Sequence, residues 1–150
     1  MKNGYWLEDF QTAPQFRSAG RTISETDLVN FAGMTGDYSP VHTDEEACRT
    51  TIFGTRIGHG LLGLAIAQGL MWRTGYTAGT GVASVAWRNW DFVGPIHIGD
   101  TLHVEWEVAE ARESASRADV GVVTEDIRLV NHEGATIQKG QHVMLVRRRP

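Results

Sequence analysis

The stretch Gly60-Leu61-Leu62-Gly63-Leu64-Ala65-Ile66-Ala67-Gln68-Gly69-Leu70-Met71-Trp72 is apolar almost all round when its residues are placed at helical spacing. A helix with so little polar surface is typically buried on most of its sides. Several of its side chains are small, so neighbouring backbone can approach it closely. The stretch therefore predicts a central helix, around which the rest of the chain is arranged.

The segments that follow this helix have the composition of β-strands. They are rich in β-branched and aromatic residues or alternate apolar with polar side chains, most cleanly where Leu102, Val104 and Trp106 share one face. Glu125 interrupts the apolar face of one segment, which indicates a bulge or an edge strand. The predicted strands are residues 82–92, 101–108, 119–130 and 135–146.

The order of these elements predicts an α+β fold. Helices come first and consecutive strands follow, which favours an antiparallel sheet wrapped round the long central helix. No linker or repeat divides the 150 residues, so we predict a single domain, in which residues 1–16 form an N-terminal arm with aromatic side chains that pack onto the body. A sheet curled round one helix has open edges, so we expect dimerisation by edge pairing.

The composition excludes several classes of protein. A net charge of −4 leaves no basic footprint, so nucleic-acid binding is disfavoured. The central apolar stretch is shorter than the ~20 residues that span a bilayer, and acidic residues replace the apolar run of a signal peptide. We therefore expect a soluble cytoplasmic protein without membrane contact. The single cysteine, Cys48, favours a reducing compartment, and we interpret it as an inert small side chain, with a nucleophilic role as the alternative.

The segment Thr35-Gly36-Asp37-Tyr38-Ser39-Pro40-Val41-His42 places an acid and an imidazole five residues apart. Pro40 lacks an N–H and disfavours helical angles at Ser39, so we predict that the segment is neither regular helix nor regular strand. A helix capped by Ser24 is predicted before it, and a short acidic helix capped by Thr43 is predicted after it. The segment is therefore a connection between helices that exposes polar side chains.

His59 and Gly60 stand at the predicted start of the central helix. Backbone N–H groups there have no partner within the helix and can receive negative charge. Together with Asp37 and His42, they are the parts needed to move a proton and to hold an oxyanion. Taken alone, however, an aspartate between a glycine and a proline-containing turn is equally a turn former.

Two further patterns of unusual residues occur at fixed spacing. The first is Gly36-Asp37-Tyr38-Ser39-Pro40-Val41-His42-Thr43-Asp44, with Ala47 and Phe53, followed by Ile57-Gly58-His59-Gly60-Leu61-Leu62. The second is Phe92-Val93-Gly94-Pro95 followed by Gly99-Asp100-Thr101-Leu102. From about Gly20 to its C-terminus, the chain resembles the MaoC-like, or (R)-specific enoyl-CoA hydratase, family, although hot-dog-fold thioesterases share the second pattern. The resemblance implies a hot-dog fold, a homodimer or higher homo-oligomer, and a place in fatty-acid metabolism.

The resemblance also implies a reaction, the reversible hydration of a trans-2-enoyl thioester to a (3R)-hydroxyacyl thioester. Asp37 would take a proton from a water molecule, and His42 would hydrogen-bond the same water and help to deliver a proton to the α-carbon. The backbone N–H of Gly60 would donate to the thioester oxygen. We expect no metal site and no cofactor, since coenzyme A would enter only as part of the substrate, with acyl carrier protein as an alternative carrier.

Three other residues are candidates for substrate binding. Ser39 stands where members of that family usually carry an asparagine that helps to position the water, so a modified site is predicted. His59 borders the oxyanion site, and we interpret it as fixing the loop geometry rather than transferring protons. Gln68 is the strongly polar side chain of the central helix, and its amide either is satisfied by neighbouring backbone or contacts the acyl chain.

Two other functions stay open at this point. A hot-dog thioesterase would use Asp37 to activate water against the carbonyl carbon, and free thiol released from a saturated acyl-CoA would reveal it. A non-catalytic homologue would bind an acyl thioester without turnover. The departure at Ser39 is the feature that keeps this last alternative open.

Overall fold

The computed structural model describes residues 4–150, so residues 1–3 of the predicted arm lie outside the described residues. The helices are α1 Leu7–Phe10, α2 Glu25–Thr35, α3 Pro40–Thr43, α4 Glu45–Cys48 and α5 Gly60–Arg73. The strands are β1 Gln15–Arg17, β2 Arg21–Thr22, β3 Gly81–Phe92, β4 Thr101–Glu113, β5 Val120–Val130 and β6 Thr136–Arg147.

The strands form one antiparallel sheet in the order β1-β4-β5-β6-β3, with β2 also paired to β4. The four long strands lie where the sequence predicts them, and β4 continues past its predicted end to Glu113. The sheet curls round α5, which is the long central helix. The predicted α+β architecture, an antiparallel sheet wrapped round a central helix, is therefore confirmed, and it is the hot-dog fold.

The core lies between α5 and the concave face of the sheet. From α5 it takes five buried side chains, which join one apolar cluster with residues of α1, α2, β4, β5 and β6. Burial of a large apolar side chain contributes roughly 1.5–3 kcal/mol, so this cluster is the main source of stability. The buried side chains of α5 in the cluster are Leu62, Ile66, Ala67, Leu70 and Met71.

The opposite side of α5 is exposed. Leu61 is 60% exposed and Trp72 is 61% exposed, and the small residues Ala65 and Gly69 between them are exposed as well. The predicted burial on most sides is therefore wrong for the single chain, because the sheet covers only one side of the helix. None of the described helices is both long and apolar enough to cross a membrane.

Glu125 lies in the interior of the sheet, so the predicted edge position is wrong. Strand β5 is paired on both sides, with β4 and β6, and the Glu125 side chain is fully buried. The predicted bulge lies in the neighbouring strand β4, opposite Glu125. There the register of β4 against β5 shifts between Val108 and Glu110. A carboxylate can occupy this core position because Tyr76 and His142 hydrogen-bond to it.

Aromatic side chains near the N-terminus pack onto the sheet and the end of α5. Phe10 is fully buried, and the ring of Phe16 stacks on Trp106 with a centroid distance of 5.2 Å. Tyr76 contacts both phenylalanine rings. The limits of the arm at residues 1–16 and the single-domain organisation stay predictions.

Candidate active site

The end of α2 leads directly into the segment that carries the candidate acid. Gly36 adopts a φ of 76° and its N–H donates to Ala32 O, so a left-handed glycine ends the helix. At the other end, Asp27 accepts hydrogen bonds from both the N–H and the hydroxyl of Ser24, the predicted cap. Asp37 therefore follows immediately after a well-anchored helix.

The segment before His42 contains one helical turn, contrary to the prediction that it has no regular structure. Ser39 has a φ of −52° and a ψ of 135°, extended as expected for a residue before proline. Pro40 is the first residue of α3. Proline suits this position because its missing N–H has no helical partner there and its ring presets φ.

Asp44, rather than Thr43, caps α4, so the predicted cap is wrong by one residue. The Oδ1 of Asp44 accepts from the N–H of Ala47 at 2.9 Å. The Thr43 hydroxyl instead donates back to the carbonyls of Tyr38 and Ser39, both at 3.1 Å. Thr43 thus holds the loop around Ser39 in place.

Arg56 joins the elements that surround this segment. Its guanidinium donates to the carboxylate of Glu25 in α2 at 2.8 and 2.9 Å and to Glu45 in α4 at 3.2 Å. Hydrogen bonds from Arg56 hold the pKa of Glu25 below its ordinary value. Exposed ion pairs contribute little singly, but this network ties α2 and α4 to the chain that enters α5.

Asp37, His42 and His59 come together in space. One ligand atom of each side chain lies within 4.8 Å of those of the other two. The imidazole rings of His42 and His59 stack with a centroid distance of 3.8 Å and an interplanar angle of 27°. Asp37 is exposed, His42 is half-buried and His59 is buried, so the cluster runs from solvent into the protein.

A backbone contact fixes the orientation of His42. Its Nδ1 lies 2.8 Å from the carbonyl oxygen of Ile57, just before α5. Because a carbonyl oxygen can only accept, Nδ1 carries the hydrogen, and Nε2 of the neutral ring has a free lone pair. His42 can therefore accept a proton or a hydrogen bond at Nε2.

His59 connects the Asp37 segment to the start of α5. Its Nε2 lies 3.0 Å from the carbonyl oxygen of Asp37, so Nε2 is the protonated nitrogen. Its Nδ1 is buried and has no hydrogen-bond partner among the described residues. The ring of Phe31 packs beside it at 5.0 Å. His59 thus anchors the backbone of the candidate acid.

The same three side chains have the donor atoms for a metal ion. An imidazole binds metal through a ring nitrogen that carries a lone pair. Two of the four ring nitrogens of His42 and His59 contact backbone carbonyls, which leaves one nitrogen of each ring without such a contact. The absence of a metal stays a prediction.

The N-terminus of α5 presents backbone donors next to this cluster. Gly63 N–H donates to His59 O, but the N–H groups of Gly60, Leu61 and Leu62 have no acceptor within residues 4–150. A side chain at Gly60 would place its Cβ 2.9 Å from the ring of Phe92, so glycine allows this close approach. Free N–H groups at a helix N-terminus favour a negatively charged oxygen.

Gln138 of β6 holds this helix end and was not singled out from the sequence. Its amide nitrogen donates to Gly60 O at 2.9 Å, and its amide oxygen accepts from Trp90 Nε1 at 3.1 Å. The side chain is 1% exposed and fills the space beside Gly63. The same inward face of β6 also carries the polar His142, so the amide gives no distinct signal in the sequence. Gln138 therefore positions the donors of α5.

Replacing Gln138 with leucine should lower the free energy of unfolding by about 2–6 kcal/mol. The substitution leaves Trp90 Nε1 and the Gly60 carbonyl buried without their partner, and each such group costs about 1–3 kcal/mol. Urea denaturation followed by tryptophan fluorescence measures the change. The matched control is Gln141→Leu, which loses one exposed bond to Asp126 and should cost less than about 1 kcal/mol. Equal losses in the two variants would contradict the assigned role of Gln138.

Two candidates from the sequence remain, Ser39 and Gln68. The N–H of Ser39 donates to Asp37 Oδ1 at 3.2 Å, and the Ser39 hydroxyl makes no hydrogen bond to any described residue. Ser39 therefore lies next to Asp37.

The side-chain amide of Gln68 is half-buried and makes no hydrogen bond in the part of the chain that the structure describes. The interpretation that a backbone group hydrogen-bonds the Gln68 amide is therefore wrong. Contact of this amide with an acyl chain stays a prediction.

A groove of about 570 Å³ lies between α2 and α5. Its walls are mainly apolar, and arginines and an aspartate stand at its rim. Phe31, which packs against His59, is one of its lining residues, so the groove adjoins the Asp37, His42 and His59 cluster. The apolar lining includes Phe31, Met34, Leu62, Ile66, Leu70 and Trp72.

Comparison with known families and curated proteins gives several matches. The family model described as MaoC like domain matches residues 9–129. The (R)-specific enoyl-CoA hydratase of Rhodospirillum rubrum is 35% identical over 98 residues, which are 65% of this chain and 65% of that protein. The 3-hydroxybutyryl-CoA dehydratase of Methylorubrum extorquens is 36% identical over 98 residues, which are 65% of this chain and 60% of that protein. The chain spans between 29% and 65% of the lengths of the curated relatives that it first matches.

A solved structure resembles nearly the whole chain. It is described as the monoamine oxidase regulatory protein from Archaeoglobus fulgidus, and its sequence is 31% identical. The TM-score is 0.91, and the match covers 99% of this chain and 98% of that one. The sheet wrapped round α5, with the loops that carry Asp37 and His42, therefore occurs in a protein of nearly the same extent.

Proposed function

Because this chain belongs to the family of MaoC-like domains, we propose that it catalyses the reversible hydration of a trans-2-enoyl-CoA to a (3R)-hydroxyacyl-CoA. The names of the hydratase and dehydratase relatives support this choice of reaction. The proposed reaction needs no metal and no cofactor, since coenzyme A is part of the substrate. The residues proposed to act are Asp37, His42 and the N-terminal amides of α5.

The observation that carries this proposal is the spacing of Asp37 and His42. A ring nitrogen of His42 and a carboxylate oxygen of Asp37 lie within 4.8 Å of each other. Two hydrogen bonds of about 2.8 Å, meeting at a water molecule at a roughly tetrahedral angle, span about 4.6 Å. One water can therefore bridge the two side chains, held by the carboxylate of Asp37 and by Nε2 of His42.

The bridged water adds across the double bond in the proposed mechanism. Asp37 takes a proton from the water as the water oxygen bonds to the β-carbon. That proton then passes through Nε2 of His42 to the α-carbon, which restores the Asp37 carboxylate and the neutral imidazole. The net change is the addition of one water, and the thioester stays intact. The backbone N–H of Ser39 donates to Asp37 Oδ1, and we assign to the Ser39 hydroxyl a contact with the same water or with a substituent on the substrate.

The amides at the start of α5 stabilise the charge that forms on the thioester oxygen. Water can add to the β-carbon of the enoyl thioester because the thioester oxygen accepts the negative charge that develops. A hydrogen-bond donor to that oxygen therefore lowers the barrier to water addition. We assign this role to the N–H of Gly60, which has no acceptor in the described chain. A donor of this kind typically contributes about 3–4 kcal/mol to the transition state. The apolar groove beside Phe31 supplies a surface for the acyl chain.

The test of the proposed function is a spectroscopic assay with a panel of trans-2-enoyl-CoA substrates that differ in length and branching. Hydration removes the conjugated absorbance of the enoyl thioester, and mass spectrometry should show a product heavier by one water with its thioester intact. A product that consists only of free thiol and acid would instead favour the thioesterase alternative. Tight thioester binding without any loss of absorbance would favour the non-catalytic homologue.

We also propose that the protein forms a homodimer. The outer side of α5 carries an exposed apolar surface between Leu61 and Trp72, and β3 is an unpaired edge of the sheet within the described chain. An exposed apolar patch next to a free sheet edge marks an association surface. Pairing two copies of β3 round a two-fold axis would cover the apolar surface of α5 and the free edge of the sheet together.

Replacing Ala65 with arginine should dissociate this dimer. Ala65 lies on the exposed side of α5 between Leu61 and Trp72, so the new charge would be buried in the interface without a partner. An uncompensated buried charge costs about 3–5 kcal/mol, which raises the dimer dissociation constant by more than about 100-fold. Light scattering after size-exclusion chromatography measures the mass. Ile52→Arg, at a residue 95% exposed outside this surface, is the control and should stay dimeric. A dimeric Ala65→Arg variant would exclude this interface.

A further inference from the structure

Arg56 bonds to two carboxylates that belong to different helices. Its Nη1 and Nη2 donate to the two carboxylate oxygens of Glu25 at 2.8 and 2.9 Å, which is a bidentate pair. Its Nε donates to Glu45 at 3.2 Å. The guanidinium is planar and its donors have fixed directions, so these bonds hold the start of α2 and the start of α4 in one relative position.

The backbone of Arg56 is held as well, next to the residue that orients His42. Its N–H donates to Glu45 at 3.2 Å, and the hydroxyl of Thr55 donates to the same carboxylate at 2.8 Å. Ile57 follows directly, and its carbonyl oxygen accepts from Nδ1 of His42 at 2.8 Å. The position of this carbonyl therefore depends on the bonds that fix Arg56.

The same guanidinium restrains the candidate acid through α2. Glu25 is the first residue of α2, and the helix ends at Thr35, two residues before Asp37. Backbone hydrogen bonds over about three turns keep the two ends of such a helix at a fixed separation. A contact that holds the first turn of α2 therefore also restrains the position of Asp37.

The separation of Asp37 and His42 is the quantity on which the proposed hydration depends. A carboxylate oxygen and a ring nitrogen of the two side chains lie within 4.8 Å of each other, a distance that one water can bridge. The hydrogen bonds of these side chains go to Ser39 N–H and to Ile57 O. Their separation is therefore set by the backbone segments that carry them, and Arg56 contacts or adjoins both segments.

We propose that Arg56 is a positioning residue of the candidate active site, which fixes the orientation of His42 and its distance from Asp37 without touching the substrate. All three guanidinium nitrogens donate to carboxylates, and two negative charges face the group, which disfavours a role in binding an anionic part of a substrate. The expected effect on rate rests on the proposed function. The effect on the orientation of His42 is independent of any reaction.

Loss of the guanidinium should leave the fold intact. The side chains of Glu25 and Glu45 are 53% and 43% exposed, so water can solvate both carboxylates when their partner is removed. Ion pairs as exposed as these contribute little to stability. A change in the behaviour of the active site can therefore be separated from unfolding.

The test replaces Arg56 with methionine, which is of similar length but has no donor. Arg56→Met should lower kcat for hydration by about 10- to 100-fold, the effect of a misplacement of up to about 1 Å, and should leave KM nearly unchanged. Arg56→Lys keeps the charge but lacks the planar group, so it should recover only part of the rate. Glu25→Gln, at the more exposed of the two partners, should lower kcat in the same direction and by less.

The matched control is Arg148→Met. Arg148 also lies between two acidic residues of different elements, Glu8 in α1 and Glu113 in β4, and it is outside the candidate active site. The substitution removes the same group from a comparable ion-pair network. It should hydrate enoyl-CoA at the wild-type rate.

NMR of the histidine ring nitrogens reports the tautomer of His42 and needs no substrate. In the wild type, the bond to Ile57 O selects the tautomer that carries its hydrogen on Nδ1. Arg56→Met should move the His42 signals toward a mixture of the two tautomers. Arg148→Met should leave these signals unchanged.

The two readouts separate the positioning role of Arg56 from the proposed function. Shifted His42 signals in a protein that does not hydrate enoyl-CoA would count against the hydration alone and would support the positioning role. Identical His42 signals in the wild type and in Arg56→Met would overturn the positioning role, whether or not the protein is a hydratase. A full hydration rate in the Arg56→Met variant of an active enzyme would overturn it as well.

Discussion

Replacing Asp37 with asparagine is expected to lower kcat for hydration by about 100- to 10,000-fold, the range that general acid–base catalysis contributes. Asparagine has the same shape and can still accept the bond from Ser39 N–H at Oδ1. It has no basic lone pair, however, and cannot take a proton from the bridged water. KM should change little, because the proposed substrate contacts are made by α5 and the groove. Loss of the enoyl-thioester absorbance measures both constants.

The control for this variant is Asp119→Asn. Asp119 is an exposed carboxylate beside β5 that pairs with Arg117, and its substitution makes the same chemical change without touching the cluster. It should hydrate at the wild-type rate. Thermal unfolding should show that Asp37→Asn keeps its fold, since Asp37 is exposed. A correctly folded Asp37→Asn enzyme with full activity would falsify the assigned role.

The second large effect is expected for His42→Gln, which should also lower kcat by about 100-fold or more. Glutamine can hold a water by hydrogen bonding but cannot carry a proton between the water and the α-carbon. The substitution also loses the planar ring that Ile57 O orients and that stacks on His59. The pre-steady-state rate of absorbance loss isolates this step from product release.

His132→Gln serves as the comparison for His42→Gln. His132 lies in the turn between β5 and β6, with an exposed side chain, and it is outside the candidate site. Its substitution should leave kcat unchanged. If His42→Gln raised KM and left kcat intact, His42 would bind substrate equally in the ground and transition states, and the proton-transfer role would have to be abandoned.

Much of the fold is predictable from the sequence because local patterns repeat at the periods of the elements. The alternation of Leu102, Val104 and Trp106 predicts β4, and these side chains are indeed buried. Ser24 is the N-cap of α2, as its place in the sequence predicts. One error arises where two adjacent residues offer the same chemistry. Thr43 and Asp44 can both cap a helix, and the bonds from Thr43 to the preceding loop decide between them.

The candidate site is predictable only in part. Asp37 and His42 belong to one short segment, so their proximity follows from the chain itself. The orientation of His42 does not, because it depends on a carbonyl 15 residues away. Gln138 is 78 residues from Gly60, and a single amide in a strand has no distinguishing pattern in the sequence. The pattern at Glu125 indicates a bulge or an edge strand and gives no sign of its partners, because Tyr76 and His142 lie on other elements.

Local patterns in the sequence predict the long elements and their order, the apolar central helix and the segment that carries the acid and the imidazole. These features depend on periodicity, proline and glycine, which act within a few residues. The covered side of α5, the tautomers of the histidines and the partners of the buried polar groups depend instead on tertiary packing. A hydrogen bond needs two groups within about 3 Å and correctly aligned. Between distant residues, that alignment is set by the packing of the whole sheet round α5.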